Sequence, residues 1–226
     1  MINDLTVVDE AQLLNAQARL DCGVRELGLS LSPQQIQACL MHVLMLKRWN
    51  RTHNLTAVSN LNDMVVLHTL DTLSVLPYLY KVGEMKTGQR VLDVGTGGGF
   101  PGIPLSIART DIAVTLLDSN HKKTSFVRAC VARLGLSNCD IVTSRVEQFQ
   151  VKDAFDVVTL RALTHPVKAM DWSAHLLRPG GCLVLMLGKA LDRREFDHEM
   201  YELTALEPIR VPKLSAARHV ALVIRR

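Results

Sequence analysis

The residues with the clearest chemical meaning lie near the middle of the chain, where a short apolar run ends in a cluster of glycines. Residues 93–102 read DVGTGGGFPG. Glycine allows a sharp turn and a close approach to a ligand because no Cβ intervenes, and the start of a following helix presents unpaired N–H groups. The stretch therefore predicts a strand, a ligand-binding loop and a helix in succession.

Two classes of ligand compete for this loop. Gly97, Gly99 and Gly102 match the dinucleotide spacing G-x-G-x-x-G, but the strand runs into Gly95 instead of the first glycine of that motif. Residues 93–99 fit D-x-G-x-G-x-G, which looks like the first motif of enzymes that use S-adenosylmethionine (SAM). The loop backbone at Gly95 and Gly97 can face the amino-acid tail of SAM, and a carboxylate at position 93 can balance its ammonium. A purely structural glycine turn is the remaining alternative.

Later positions complete the expected cofactor site. Asp118 ends the second β-rich run, where a carboxylate can accept both ribose hydroxyls, although a turn or helix-cap aspartate is the alternative. Val146 and Glu147 follow the third run, where backbone N–H groups can read the adenine edge. An exposed residue at a helix start is the alternative for Glu147. Arg161 ends the fourth run, and ligands sit beyond the carboxyl ends of parallel strands.

The pattern around these residues predicts an α/β fold with a mostly parallel, Rossmann-like sheet. Five β-rich runs alternate with helical patterns, the runs at 90–95, 113–118, 140–144, 155–160 and 181–187 and the helices at 102–109, 122–134, 166–178 and 190–204. Strands that alternate with helices form βαβ units and a buried parallel sheet. Two closing runs, 209–211 and 219–224, are joined too closely for a crossover helix and should form an antiparallel hairpin.

A change of pattern near residue 86 divides the chain into two domains. Residues 1–85 show only helical patterns and predict an N-terminal helical cap, whereas residues 86–226 carry the strands of a SAM-binding methyltransferase domain. Residues 80–89 are the expected linker. The net charge changes from −2 in the first part to +6 in the second, which favours a polyanionic partner, although scattered surface charge explains these values equally well.

Two helices are expected inside the cap. Apolar residues recur at helical spacing from 36 to 49, after a helix start at Ser32 and Pro33. Another helix should run from 64 to 76, with Pro77 ending it. Asn62 and Asp63 are its expected caps.

The composition excludes several classes of protein. The chain has 226 residues, a formal charge of +4 and 48% hydrophobic residues, so it can bury a full core. It has no apolar run of 18 residues that would span a membrane and no signal-peptide pattern at its start. Five cysteines without a C-x-x-C pair favour reduced thiols in the cytoplasm over disulfides or a zinc site, and no other metal-ligand pattern is present.

The loop after the fourth β-rich run indicates the methyl acceptor. Residues 160–166 read LRALTHP and lack the Asn/Asp-Pro-Pro-aromatic clamp used for exocyclic amines, and no cysteine follows a proline, as the thiolate nucleophile for a pyrimidine carbon usually does. Guanine N7 carries a lone pair and no proton, so its methylation needs neither device and relies on proximity. Arg161 is the best-placed side chain to contact guanine O6 or a phosphate; a surface ion pair is the alternative.

Taken together, these segments resemble the bacterial ribosomal RNA small-subunit methyltransferase G family, also called the glucose-inhibited division protein B family. The matching segments, in chain order, are 47–50 with 54–56, His68 with Asp71, 93–105, 116–119 with Lys122, 144–147, 161–162 and 218–219. The residues before about Asp21 lie outside the resemblance. One departure is Gly188 followed by Lys189, where the family usually has Lys-Gly.

The resemblance implies methyl transfer from SAM to N7 of a guanine in small-subunit (16S) ribosomal RNA, either as free RNA or in the assembling 30S particle. It implies cofactor contacts at Gly95, Phe100, Val146 and Glu147, with Asp118 beside the ribose. Arg161 belongs, by this resemblance, to the cofactor and target pocket. The basic residues that it places against RNA are Lys122, Arg145, Arg161 and Arg218.

We therefore expect a cytoplasmic, monomeric rRNA (guanine-N7-)-methyltransferase in which no side chain is assigned as a general base. One alternative is a SAM-dependent methyltransferase with a different acceptor. The other is a non-catalytic module that binds SAM or RNA. Because N7 methylation leaves no proton-transfer signature, the non-catalytic alternative stays open at this stage.

Overall fold

A seven-stranded sheet forms the centre of the computed structural model, which describes residues 8–161 and 164–226. The strands are β1 (Arg90–Val94), β2 (Ala113–Asp118), β3 (Cys139–Thr143), β4 (Phe155–Arg161), β5 (Leu177–Leu187), β6 (Tyr201–Pro208) and β7 (His219–Arg225). Their order in the sheet is β3-β2-β1-β4-β5-β7-β6. β1 to β5 are parallel, and β7 runs antiparallel to both of its neighbours. This confirms the expected mostly parallel sheet with a C-terminal antiparallel hairpin.

Helices precede the sheet and alternate with its parallel strands. They are α1 (Glu10–Glu26), α2 (Pro33–His53), α3 (Leu61–Met64), α4 (Asp71–Leu73), α5 (Leu76–Lys81), α6 (Gly102–Ala108), α7 (His121–Leu134) and α8 (Pro166–Ser173). A π-helical segment, Val65–Leu70, joins α3 to α4, and 3₁₀ helices occupy Val146–Gln148 and Arg193–Phe196. None of the helices in the described residues is long and apolar enough to cross a membrane.

Both faces of the sheet are buried, because successive side chains along a strand point to opposite faces. Val91 and Leu116 belong to a core shared with α1, α2, α6 and α7. Leu92 and Leu117 belong to a second core, which α8 covers from the other face. Apolar runs in the parallel strands therefore reflect burial on two sides.

The N-terminal helices are tied directly to the sheet domain. α2 begins with a capping box, as expected at Ser32: the Ser32 hydroxyl accepts from the Gln35 N–H, and the Ser32 N–H donates to Gln35 Oε1. The Gln35 side chain then donates to the Ile107 carbonyl at 2.7 Å, at the end of α6. Of residues 80–89, the expected linker, the first two belong to α5, and residues 82–89 connect α5 to β1 and include the buried Met85.

Two expectations for the N-terminal helices are wrong. The helix expected over 64–76 begins earlier, because Asn60 caps it and accepts hydrogen bonds from the N–H groups of Asn62 and Asp63. Pro77 does not end that helix but lies in the first turn of α5. A proline is tolerated there because the first turn of a helix has no internal partner for its N–H groups.

The sequence prediction also fails between β5 and β7. A 3₁₀ helix, Arg193–Phe196, and then β6 replace the helix expected over 190–204. β6 starts at Tyr201, which is 2% exposed and belongs to the core of the second face. The antiparallel pairing with β7 is as expected, but its first strand precedes the predicted run at 209–211. Pairing with β7 outweighs the helical spacing of the apolar residues in this stretch.

Candidate active site

The glycine loop, residues 95–102, leaves the end of β1 and continues into the first turn of α6. Gly95, Gly97 and Gly99 have φ angles of 71°, 57° and 86°, a left-handed conformation that residues with a Cβ rarely adopt. A Cβ on Gly97 would meet only the Gly95 carbonyl oxygen, at 3.7 Å. The loop backbone at this point therefore borders space that a ligand can fill.

Asp93 lies beneath the glycine loop and is fully buried. Its Oδ2 atom accepts from the Gly102 N–H at 2.9 Å, while Oδ1 has no hydrogen-bond partner among the residues that the structure describes. Burial raises the pKa of Asp93 to about 6, although the nearby Thr96 hydroxyl and the Gly102 hydrogen bond oppose that change. An unpartnered carboxylate oxygen beside open backbone fits a cationic ligand group, such as the ammonium of SAM.

Asp118 holds the glycine loop from the end of β2. Its Oδ2 atom accepts from the Gly97 N–H at 3.0 Å, and its Oδ1 atom accepts from the Asn120 N–H at 2.9 Å. Asn120, not Asp118, caps α7. Each carboxylate oxygen keeps a further lone pair, so the structural role of Asp118 is compatible with the expected contact to ribose.

The residues expected beside the adenine follow β3. The Ser144 N–H donates to the Asp118 carbonyl at 3.2 Å, which sets the start of the next segment against the end of β2. Val146 is buried in the core of the second face, whereas Arg145 and Glu147 are exposed. The structure therefore places Val146 and Glu147 near the end of β2, on the side where the cofactor is expected.

His42 was not among the sequence-predicted site residues, yet it contacts the glycine loop. Its Nε2 atom lies 2.8 Å from the Gly98 carbonyl oxygen, and its ring stacks on Phe100 at 4.5 Å between centroids. Burial lowers the pKa of His42 to about 4, so the ring is neutral near pH 7. An Nε2–H donor to a carbonyl fits this neutral form. In the sequence, the feature that could have indicated this contact is a polar histidine within the apolar face of α2.

The two predicted arginines at the end of the sheet meet on one carboxylate. Arg161 Nη1 donates to Asp71 Oδ2 at 3.2 Å and to the Leu67 carbonyl at 3.0 Å, while Arg218 Nε donates to Asp71 Oδ1 at 3.0 Å. The Arg161 guanidinium lies 5.5 Å from the centroid of the Phe100 ring. Arg161 thus forms an ion pair, as the alternative for this residue expected, but its side chain is only 21% exposed, so the pair is partly buried.

These residues line a cleft of about 340 Å³, which we call the arginine cleft. Its lining is Leu67, His68, Asp71, Ser74, Val75, Arg161, Met186, Leu187, Gly188, Ile209, Arg218 and His219. The cleft lies beyond the carboxyl ends of β4 and β5, where ligands bind in open parallel sheets. Two of its lining residues, His68 and Arg161, contact Phe100 of the glycine loop.

His68 contacts Arg161 and Thr56. His68 Nε2 lies 3.0 Å from Thr56 Oγ1, and His68 Nδ1 lies 3.4 Å from Arg161 Nη2. Its ring centroid is 5.0 Å from that of Phe100. Burial and the nearby Arg161 lower the pKa of His68 to about 4. The helical spacing of His68 and Asp71 therefore aims both side chains at the same guanidinium.

The other predicted RNA-facing residues do not join this cluster. Lys122 is exposed in the first turn of α7, and Arg145 is exposed after β3. Both follow the carboxyl ends of strands, as Arg161 does. Lys189, at the departure from the family pattern, is exposed and lines a second cleft of about 220 Å³, which shares Met186, Leu187 and Gly188 with the arginine cleft.

No cysteine lines the arginine cleft. All five cysteines are free thiols, and Cys39, Cys130 and Cys182 are buried. Burial raises the pKa of the Cys39 thiol to about 12 and also raises the pKa of Cys130 and Cys182. Within residues 8–161 and 164–226, no three His, Cys, Asp or Glu side chains are grouped as metal ligands. Residues 162 and 163, in the expected target loop, lie outside the described residues.

Comparison with known proteins decides the family. The family model described as rRNA small subunit methyltransferase G, GidB, matches residues 35–221. The chain belongs to this family. It is similar to the ribosomal RNA small subunit methyltransferases G of Laribacter hongkongensis (40% identical, covering 92% of this chain and 97% of that protein) and Chromobacterium violaceum (39% identical, 92% and 97%).

Solved structures agree on the fold. A putative methyltransferase from Thermoplasma acidophilum superposes with a TM-score of 0.51 at 12% identity, covering 66% of this chain and 74% of that one. The family and the fold confirm the sequence prediction of a SAM-dependent methyltransferase. Its cofactor is SAM, and the unpartnered Asp93 oxygen beside the glycine loop is the feature of this structure that fits it.

Proposed function

We propose that this member of the methyltransferase G family transfers the methyl group of SAM to N7 of a guanine in 16S ribosomal RNA. The observation that carries the proposal is the arginine cleft. It places two guanidinium groups on one carboxylate, beside Phe100 of the glycine loop and beyond the carboxyl ends of β4 and β5. Such a cleft suits a base with an acceptor atom at O6 and an anionic backbone, with the N7 lone pair left free for the methyl group.

In this proposal, the cofactor lies along the ends of β1, β2 and β3. Asp93 and the backbone of Gly95 and Gly97 hold the amino-acid tail, and Asp118 accepts the ribose hydroxyls. The adenine lies against the segment after β3. The residues in contact with it are Val146 and Glu147, while Phe100 and Arg161 close the site on the side of the target.

The reaction requires the protein mainly to align the methyl group of SAM with guanine N7. SAM supplies, when bound, a methyl group already activated by its positively charged sulfur. Guanine N7 offers a lone pair and releases no proton, so no general base is required. His42 and His68 are accordingly free to act as neutral supports for Phe100 and Arg161. Proximity and orientation of the two reacting atoms account for the acceleration.

RNA binding in this proposal comes from basic residues on the carboxyl side of the sheet. Lys122 and Arg145 contact phosphates, and Arg161 and Arg218 contact the target nucleotide. Since each phosphate contact releases counterions, affinity falls as the salt concentration rises. Either free RNA or an assembling 30S particle can present the guanine.

The N-terminal helical part, residues 1–85 by our division, acts as a cap that completes the site, because His42 and Asp71 both belong to it; residues 1–7 lie outside the described residues. We assign the protein to the cytoplasm as a monomer. The free cysteines fit a reducing compartment. Light scattering in solution, with and without RNA, tests the monomeric state.

Methyl transfer to ribosomal RNA tests the proposed function. Small subunits from cells that lack this protein are incubated with the protein and labelled SAM, and the RNA is digested and analysed by mass spectrometry. We expect label in 7-methylguanosine at one position. If the folded, SAM-binding protein labels no RNA, the proposal is wrong. Label in small molecules or protein would favour a different acceptor, and the absence of any transfer would favour a non-catalytic module.

A further inference from the structure

The arginine cleft combines apolar walls with one carboxylate at its polar end. Leu67, Val75, Met186 and Leu187 supply aliphatic surface, and Asp71 lies among the polar residues. Its volume of about 340 Å³ is in the range of pockets that bind small organic groups. A single nucleobase, with apolar faces and a polar edge, has the chemistry to fill such a cleft.

Asp71 has acceptor capacity left in this arrangement. Its side chain is only 8% exposed, and each oxygen accepts one hydrogen bond, Oδ2 from Arg161 and Oδ1 from Arg218. A carboxylate offers about four lone-pair sites, so both oxygens can accept another donor. The two guanidinium groups hold the carboxylate in a fixed orientation.

Guanine is the nucleobase that matches a carboxylate in this position. Its Watson–Crick edge presents two adjacent donors, N1–H and the N2 amino group, which pair with the two oxygens of a carboxylate. Adenine presents the unprotonated N1 acceptor at the same place and would be repelled. N7 lies on the opposite side of the purine, so a guanine held by its N1 and N2 atoms leaves N7 free for attack.

We infer that Asp71 is a specificity-determining residue that reads the Watson–Crick edge of the target guanine within the arginine cleft. The inference rests on the proposed function, since it names how the acceptor of that reaction is recognised. Arg161 and Arg218 have a double task here: they orient Asp71 and contact the nucleotide. No proton transfer is involved.

Gly188 is one of the residues that line the cleft. A Cβ at this position would meet no atom within 4 Å, and its φ lies outside the left-handed range in which side chains are strained. A side chain can therefore be added at the rim of the cleft without a clash inside the fold. This offers a way to block the base without altering Asp71.

The first test needs no mutation of the protein. RNA with inosine at the modified position lacks only the N2 amino group, so the wild-type protein should methylate it with a kcat/KM about tenfold or more below that for guanine, the loss expected for one hydrogen bond to a charged acceptor. Dimethyl sulfate reactivity of both RNAs corrects for any change at N7 itself. Equal kcat/KM values would overturn the inference. Methylation of neither RNA would overturn the proposed function instead.

The second test asks whether Asp71 is responsible for this discrimination. In Asp71→Asn, one oxygen becomes an N–H₂ donor that faces the donors of guanine, so the preference for guanine over inosine should fall to about one. SAM affinity and thermal unfolding are measured on the same variant. An equal loss for both RNAs, with the preference retained, would mean that Asp71 only positions the arginines and would contradict the inference.

The third test blocks the cleft from its rim. Gly188→Leu should lower kcat/KM for RNA by about tenfold or more while SAM affinity and stability stay at wild-type values. Gly188→Ala, which adds a single methyl group in open space, is the matched control and should have a small effect. Because Gly188 also lines the adjoining cleft, a crystal structure of Gly188→Leu establishes where the leucine lies, and full activity with the leucine in the arginine cleft would show that the base does not enter it.

Discussion

The two halves of the site are built in different ways. The cofactor half consists of the glycine loop with Asp93 and Asp118, and its hydrogen bonds join carboxylates to backbone N–H groups 9 and 21 positions away. The arginine cleft depends on Asp71, which bonds Arg161 and Arg218 across 90 and 147 positions. The first half is a local supersecondary motif, whereas the second exists only when three distant segments meet.

The electrostatic character of the halves differs as well. Asp93 is fully buried with one oxygen unpartnered, and burial raises its pKa to about 6. Asp71 is also nearly buried but has a guanidinium on each oxygen. The cofactor half therefore contains a carboxylate, Asp93, with one unpartnered oxygen. The carboxylate of the arginine cleft, Asp71, already has two cationic partners. This difference predicts separable effects on SAM and on RNA.

The largest effect is expected from a substitution that creates a steric clash in the cofactor half. A Cβ at Gly102 would lie 2.0 Å from Leu116 Cδ2 and 2.8 Å from Asp93 Oδ2, so Gly102→Val should lower the free energy of unfolding by about 3 kcal/mol and abolish SAM binding. Urea unfolding and calorimetry measure the two effects. Gly188→Val, where a Cβ meets nothing, is the control; equal stability of the two variants would refute the packing argument.

The next effect separates the halves. Arg218→Ala removes one guanidinium from Asp71, so kcat/KM for RNA should fall about thirtyfold, the usual penalty of about 2 kcal/mol for truncating a buried charged pair. SAM affinity should not change. Arg109→Ala, which breaks a comparable ion pair with Asp111 far from the site, should leave methyl transfer intact. A matching loss of SAM affinity in Arg218→Ala would show that the halves are not separable.

A smaller effect sharpens the role of Asp93. Because its pKa is about 6 before SAM binds, the carboxyl is mostly protonated below that pH and must lose a proton to balance the ammonium, so the affinity for SAM should fall about fivefold between pH 6 and pH 5. Titration calorimetry at several pH values measures this. In Asp93→Asn the dependence should vanish, and its persistence there would assign the titration to another group.

The same raised pKa has a consequence for stability without SAM. A carboxyl whose folded-state pKa is raised from 3.8 to about 6 stabilises the fold at low pH, and that contribution is lost as the pH rises through 6. His42, whose pKa is lowered to about 4, acts in the opposite direction and loses its contribution as the pH falls below 6.5. The free energy of unfolding of Asp93→Asn, relative to that of the wild type, should therefore be larger at pH 7.5 than at pH 5.

The smallest expected effect concerns the phosphate contacts. Lys122→Ala and Arg145→Ala should each weaken RNA binding severalfold and reduce the slope of log affinity against log salt by about one. Lys152→Ala, at the amino end of β4 and so on the opposite edge of the sheet, is the control. A salt slope unchanged in both variants would remove these residues from the RNA interface.

The sequence predicted the cofactor half closely because its parts are contiguous. The glycine spacing and the neighbouring β-rich runs were enough to place Asp93, Gly95 and Gly97 in a strand, loop and helix. His42 was missed, since one histidine in an apolar helix face has no local pattern that points to a loop 56 positions away. The helix expected over 190–204 failed for the same reason: pairing of β6 with β7 is a long-range contact.

The amino-acid sequence by itself determined the family, the α/β class and the strand, loop and helix in which we propose that the cofactor binds, because glycine conformation and strand–helix alternation are set by neighbouring residues. The tertiary structure alone decided that Asp71, from the N-terminal helices, receives both Arg161 and Arg218. Helical spacing put His68 and Asp71 on one face but indicated no partner for either of them outside that helix. Only the packing of that helix against the ends of β4 and β7 brings the guanidinium groups within hydrogen-bond distance.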